Sequence, residues 1–322
     1  MRMLKFTLVL TFAAWSSYAA DPALLNLISP NSKVVAGAHV DRAITSPLGQ
    51  FLLKQAQINN DGLQKFITAT GFDPSNDLKE IVVASTDPGH KAGSGLAAMH
   101  GAFDVQKILA NLKVKGIALT NYKDVPILAG SEPNAGWLGV LDSSTAVAGD
   151  PASVKDAIDR RGTKTVLDPQ LTTLISTVSD KYDAWFASNV PISNFAGSAP
   201  DAQMNSMLKG DALAGIQQTA GGMIFGSTVQ MMAELVARSA QDASSLVDIV
   251  KFLAGMAQSN TANQPNAAIL VNALSTLDVQ ATGTTVTMSV SVPETDLEQV
   301  IESAPKHTPN VKKAELHRIR IN

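Results

Sequence analysis

The chain has 322 residues, 45% hydrophobic and 16% charged, with no cysteine. That is globular composition with length for two domains, and it excludes disulfides and a lipid-modified cysteine. With 25 basic and 28 acidic residues the net charge is −3, and net acidity argues against a nucleic-acid-binding body.

Residues 1–19 read as a secretory signal. Arg2 and Lys5 make a positive n-region, residues 6–15 an apolar h-region, and Ser17-Tyr18-Ala19 a small-x-small cleavage site. The apolar run is shorter than the ~20 residues a membrane span needs. Cleavage near Ala19 leaves a mature start at Ala20 or Asp21, a net charge of −5 and a secreted or periplasmic protein. A cysteine-free exported chain suits a bacterial periplasm and leaves stability to the core. No transmembrane segment is expected later, since 223–237 is too short and carries Gln230 and Glu234.

The first half, 20–162, opens with a helical patch of Leu24, Leu27 and Ile28, then a buried strand at 34–40. Ser46-Pro47 starts a helix with Leu48, Phe51 and Leu52 on one face, and a second helix, 63–70, ends at Gly71. Asp73-Pro74 starts a short turn, because proline pre-sets φ at the first helical position, and Asp77 is placed to cap a further one. Strands at 81–85 and 96–103 flank a Gly/Pro-rich loop, and Asp104 starts the next helix. Residues 122–129, 137–141 and 145–149 read as strands, the last two paired across Asp142-Ser143-Ser144. Asp150-Pro151 then starts a helix with Val154, Ala157 and Ile158 inward, closed by Gly162.

After a linker at 163–170 the order repeats through 171–305. Leu171, Leu174 and Ile175 echo the first patch, 184–190 echoes the first strand, and 202–218 is expected to be helical. Residues 229–238 alternate with period two, the mark of a strand with one buried and one wetter face. Ser239 or Asp242 caps a helix whose Leu246, Ile249, Val250, Leu253 and Met256 recur at helical spacing. A helix at 267–274, strands at 277–282 and 285–292 across Gly283, and a helix from Pro293 with Leu297, Val300 and Ile301 inward complete it. The hairpin-and-helix unit therefore occurs at 71–112 and at 222–258. A period of ~145 residues suits a duplicated domain rather than a solenoid. The expected fold is α+β: two related ferredoxin-like sandwiches in tandem, each an antiparallel-rich sheet with helices on one face.

The Asp73-Pro74 and Asp77-Leu78 pattern before a strand, in a duplicated exported chain, resembles bacterial α+β families of unknown function. The resemblance covers most of the mature chain, its motifs are structural, and it implies no chemistry.

Candidate chemistry is sparse. Ser206-Met207-Leu208-Lys209 fits S-x-x-K, but the S-D-N and K-T-G elements such acyl-enzymes need do not follow. Phosphate-binding glycine loops and H-E-x-x-H are missing from the sequence. The remaining lead is histidine. His39 on the first strand and His100 on the third would meet at the centre of a ferredoxin-like sheet, with Asp41, two residues after His39, able to share its face and His90 in the glycine-rich loop. Such residues can hold zinc. The corresponding positions of the second half, Asn189 and Arg238, are polar but not ligands, which fits a merely wet face. Trp137, Trp185 and Phe186 read as core packing.

The first functional reading is a non-enzymatic exported protein that binds or scaffolds an unnamed component of the cell envelope, with no cofactor. The second is a periplasmic hydrolase or metal-dependent enzyme centred on His39 and His100. The third is a carrier of an apolar ligand, held between two sheets by Met223, Met231, Met232 and Val236. A C-terminal tail, 306–322, carries five basic residues and one acid, and is expected to contact anionic surfaces only weakly and in a salt-sensitive way.

Overall fold

The computed structural model describes residues 19–87, 95–130, 136–195, 213, 215–259 and 266–303. Its twelve strands are β1 (Val34–His39), β2 (Leu78–Ser85), β3 (Leu96–Gly101), β4 (Thr120–Tyr122), β5 (Val125–Ala129), β6 (Trp137–Val140), β7 (Thr145–Gly149), β8 (Ala184–Ser188), β9 (Ile216–Ile224), β10 (Thr228–Ala237), β11 (Asp278–Thr282) and β12 (Thr285–Pro293). All belong to one sheet, ordered β11-β12-β10-β9-β8-β1-β2-β3-β7-β6-β5-β4, and every neighbouring pair is antiparallel. The halves do not form separate sandwiches. They join edge to edge, where β1 pairs with β8 in register from Val34 opposite Ser188 to Ala38 opposite Ala184. Nor is the strand order ferredoxin-like. That order makes the first and third strands neighbours, whereas here β2 lies between β1 and β3.

The helices form where the caps require. In α1 (Pro22–Leu27) the Asp21 carboxylate accepts the Ala23 N–H. Ser46 accepts the Gly49 N–H at the start of α3 (Pro47–Ile58), which follows the short α2 (Val40–Ala43). Gly71, at φ 73°, ends α4 (Asp61–Thr70) in the left-handed conformation that glycine adopts without strain. Asp73 caps α5 (Pro74–Asp77), and Asp77 accepts the Asp73 N–H instead of capping a further turn. Asp104 caps α6 (Val105–Val114), Asp150 caps α7 (Pro151–Arg160), and Asp168 caps α8 (Pro169–Val178). Ser239 accepts the Asp242 N–H at the start of α9 (Ala240–Ser259), and α10 (Ala267–Ser275) and α11 (Glu294–Ser303) follow.

Helices cover both faces of the sheet, not one. The first face carries Val35, Gly37, Val82, Ala84, Leu96, Ala98, Val147, Trp185, Ala187 and Ala220, which share it by register. It is sealed by α1, α7 and α8 through Leu24, Leu27, Ile28, Val154, Ala157, Ile158, Leu171, Leu174 and Ile175. That cluster mixes the two halves. Each fully buried aliphatic side chain in it contributes ~1.5–3 kcal/mol relative to exposure.

The second face is covered only towards its two wings. On one wing, α4 and α6 bring Phe66, Phe72, Ile108 and Leu112 against Met99, Val140 and Ala146. On the other, the first part of α9 packs Ala243, Leu246 and Val247 on Leu235, Val279 and Val286. Between them a row of Val83, Ala36 and Phe186 crosses β2, β1 and β8, with Val83 and Phe186 exposed. Phe186 is therefore not a core residue.

Two local expectations change. Residues 122–129 are the end of β4 and all of β5, reversed at Lys123, which turns through φ 53°. Residues 216–218, expected at the end of a helix, begin β9. The S-x-x-K stretch, His90 and the basic tail lie outside the described residues.

Trp185 is buried on the first face directly opposite Gly37, and a β-carbon on Gly37 would lie 2.4 Å from the indole. Gly37→Ala forces either the ring or the β1–β8 pairing to move, and overpacking of this kind costs ~1–3 kcal/mol. A thermal melt of this variant should fall by several degrees, and an unchanged Tm would show that the seam yields freely.

Candidate functional site

The three sequence candidates separate. His39 and His100 both face the first side of the sheet, but each opposes Glu80 of the intervening β2. Two strand spacings put them ~9–10 Å apart. His39 is buried, and its Nε2 lies 2.7 Å from the carbonyl oxygen of Ser179, the residue that ends α8. A carbonyl only accepts, so Nε2 carries the proton and donates. Asp41 lies in α2, where its carboxylate accepts the N–H of Arg42 at an exposed position. His100 Nδ1 stands 3.4 Å from an Asp21 carboxylate oxygen, both side chains partly exposed. Among the described residues no group of three His, Asp or Glu is arranged to hold a metal ion.

Among the described residues the fold buries three acidic side chains, Glu80, Asp183 and Glu294; the last accepts the Leu48 N–H, and the first two lie beside the histidines. Glu80 lies between the two histidines and accepts the Asp21 N–H at 3.1 Å. Burial pushes its carboxyl above the ordinary carboxylate range, and the Asp21 N–H and the nearby His39 partly oppose that. Its signal was legible, because Glu80, Val82 and Ala84 are in phase two apart and so share the core face. Asp183 is buried immediately before β8 begins. It pairs with Arg42 at 2.7 Å, accepts the Phe225 N–H at 2.8 Å through its other oxygen, and its carbonyl accepts the His39 N–H. His39, Arg42 and Asp183 are thus bonded to one another across the two halves.

The apolar-carrier geometry is also not formed. There is one sheet, so nothing lies between two. Met223 opposes Met231 on one face, while Met232 and Val236 point to the other. A cavity of about 120 Å³ is lined largely by polar residues, including Ser29, Ser32, Thr86, Ser153, Asp156 and Arg160. Sites for organic ligands run to ~300–1,000 Å³ and are mostly apolar.

What stands out is the far half of α9. All its buried residues lie before Ile249, and beyond them Phe252 is 66% exposed, Leu253 40% and Met256 44%. Twenty residues of helix are ~30 Å long, while β11 beneath has five, so the helix overruns its support. Beside it α10 is almost wholly apolar, yet no residue of it is buried, and Leu270 is 41% exposed. The helical spacing of Leu253 and Met256 put them on an inward face, and nothing among the described residues buries that face. No helix among the described residues is long and apolar enough to cross a membrane.

No family model matches the chain, and no curated protein matches it. Among solved structures it is similar to one titled "Structure of crystal form I of TP0453", with a TM-score of 0.50 and 8% identity, over 88% of this chain and 98% of the other. At that identity the likeness speaks to the fold alone.

Arg42 and Asp183 should be energetically coupled. Removing one partner leaves the other's charge poorly compensated at a buried position, which costs ~3–5 kcal/mol for a fully buried pair; partial exposure of Arg42 puts the expectation at the lower end. Denaturant melts of Arg42→Ala, Asp183→Asn and the double variant should give a double variant less destabilised than the two single effects added. Simple additivity would remove the pair from the list of contacts that hold the halves together.

Proposed function

We propose that this is an exported, non-enzymatic binding or scaffold protein of the bacterial cell envelope, whose docking surface is the exposed face of α9 and α10. The observation that carries this reading is the run of Phe252, Leu253, Met256 and Leu270, four large apolar side chains at least 40% exposed on adjacent helices. Single exposed apolar residues are ordinary, whereas contiguous ones mark interaction surfaces. The leader-like segment supports export, and its cleavage near Ala19 is part of the proposal.

The reading includes an internal duplication. Outward from the β1–β8 junction, the strand orders β1-β2-β3-β7-β6 and β8-β9-β10-β12-β11 run in the same sense, with α6 and α9 after the third strand of each. On this view α9 and α10 are the second half's divergent elements, lengthened past their own sheet to meet a partner. The basic tail adds a weak, salt-screened attraction for anionic surfaces.

The test is a photo-crosslinking amino acid placed at position 252 in the full exported chain, with exposed position 54 on α3 as control. One defined adduct at 252, lost with Met256→Ser and missing at 54, is the expected result. Phe252→Ser and Met256→Ser should melt within a degree or two of wild type, since neither side chain is buried. Adducts equal at both positions, or none at 252, would count against the docking face. A cross-linked dimer of this chain would make self-association its role.

A further inference from the structure

The start of the described chain forms a corner that the docking surface does not use. Ala19 is exposed, Ala20 is 4% exposed and belongs to the main core, and Asp21 caps α1. The Asp21 N–H donates to Glu80 Oε1 at 3.1 Å. Glu80, 9% exposed, is faced from β1 by His39, from β3 by His100 and from α1 by the Asp21 carboxylate. Two carboxylates share this corner, and Glu80 makes no ion pair with a lysine or arginine among the described residues. A buried acid without a cation is costly, because desolvation penalises the charged form.

We propose that leader removal supplies the cation: the mature chain begins at Ala20, and its α-ammonium group is the ion-pair partner of Glu80. The inference rests on the leader cleavage proposed above. An envelope endopeptidase directs water at the Ala19 carbonyl. The C–N bond to Ala20 breaks, the water oxygen stays on Ala19 as its carboxylate, and the Ala20 nitrogen leaves protonated as –NH3+. The cut falls where an accessible residue meets a buried one. A cut one residue later would take Ala20 out of the core.

The reach is short. Consecutive residues are 3.8 Å apart along the chain, so the new ammonium arises within ~7 Å of the Glu80 carboxylate, and rotation about the now free Ala20 closes the gap. Before the cut the same nitrogen is a neutral amide. A precursor therefore lacks one favourable contact of the mature fold, which suits a chain that must cross a membrane before it folds.

Intact mass of the full exported chain comes first. A start elsewhere than Ala20, or an uncleaved leader, overturns the processing reading on which the inference rests. The ion pair is tested separately on the chain starting at Ala20, with its α-amine free or acetylated, each with Glu80 and with Glu80→Gln. The glutamine keeps the acceptor for the Asp21 N–H and loses the charge. Acetylation should lower Tm by several degrees at pH 7 in the wild-type background and barely at all in the Glu80→Gln background. Equal melting of free and acetylated wild type, or equal sensitivity in both backgrounds, overturns the pair. A third readout needs no variant. The α-amine of the folded chain should react with an amine-specific reagent at least several-fold more slowly than that of an Ala-Asp peptide, and labelling at the peptide rate also overturns the pair.

Discussion

The structure depends on the antiparallel pairing of β1 with β8. These strands begin the two halves, and without the pairing each would be an edge strand with a row of unsatisfied N–H and C=O groups, an invitation to aggregate. Pairing them turns two short sheets into one of twelve strands. It also brings α1 and α7 from the first half, and α8 from the second, onto one surface, where Leu24, Ile158, Leu171 and Trp185 share a cluster. Trp185 can lie flat there because Gly37 opposite has no side chain. The indole Nε1 is buried with no hydrogen-bond partner among the described residues, a loss of order 1–3 kcal/mol. The ring stands at this position for its area and shape, not for its N–H.

A sheet this wide has two faces to hide. The first is hidden by helices drawn from both halves, so it belongs to neither. On the second each half covers its own wing, and α3 of the first half meets α11 of the second, where the Leu48 N–H donates to the Glu294 carboxylate. The first half covers its wing with α4 and α6, where Phe66 of α4 interlocks with Phe72 just after that helix and Phe103 just before α6. The second half does it with one long helix that fits its sheet for two turns and then runs on. The exposed row of Val83 and Phe186 and the exposed end of α9 are thus consequences of the same division of labour.

Local structure was legible in the sequence and tertiary arrangement was not. Ser46, Asp73, Asp104, Asp150 and Ser239 announce helix starts because each supplies an oxygen where orphan N–H groups need one. Gly71, Gly162 and Gly283 mark reversals because each turns through positive φ. The partner of β1 leaves no such trace. Residues 34–40 read as a buried strand whichever strands flank them, so inserting β2 between His39 and His100, or β8 beside β1, changes nothing in local periodicity. Likewise, the spacing of Leu246, Val250, Leu253 and Met256 tells which residues share a face, not where the support beneath it ends. Glu80 was legible in principle, being in phase with Val82 and Ala84, but a carboxylate on a core face is found only by asking which polar residues break a buried pattern.

The fate of the histidine lead follows from the same junction. A catalytic or ligating side chain needs one atom aimed at an open site while its other bonds hold it in place. Here the polar groups at the end of β1 are spent on joining the halves. The His39 main-chain N–H binds the Asp183 carbonyl and its ring binds the end of α8, while Arg42 holds the Asp183 carboxylate that also fixes Phe225 at the end of the β9 hairpin. One bond after another runs from first half to second half. At the other end of the same junction the Asn189 N–H donates to the Lys33 carbonyl at 3.2 Å, so main-chain bonds close both ends of the β1–β8 pairing. Among the described residues, those with the most chemical character near the sheet centre are accordingly fasteners between the halves.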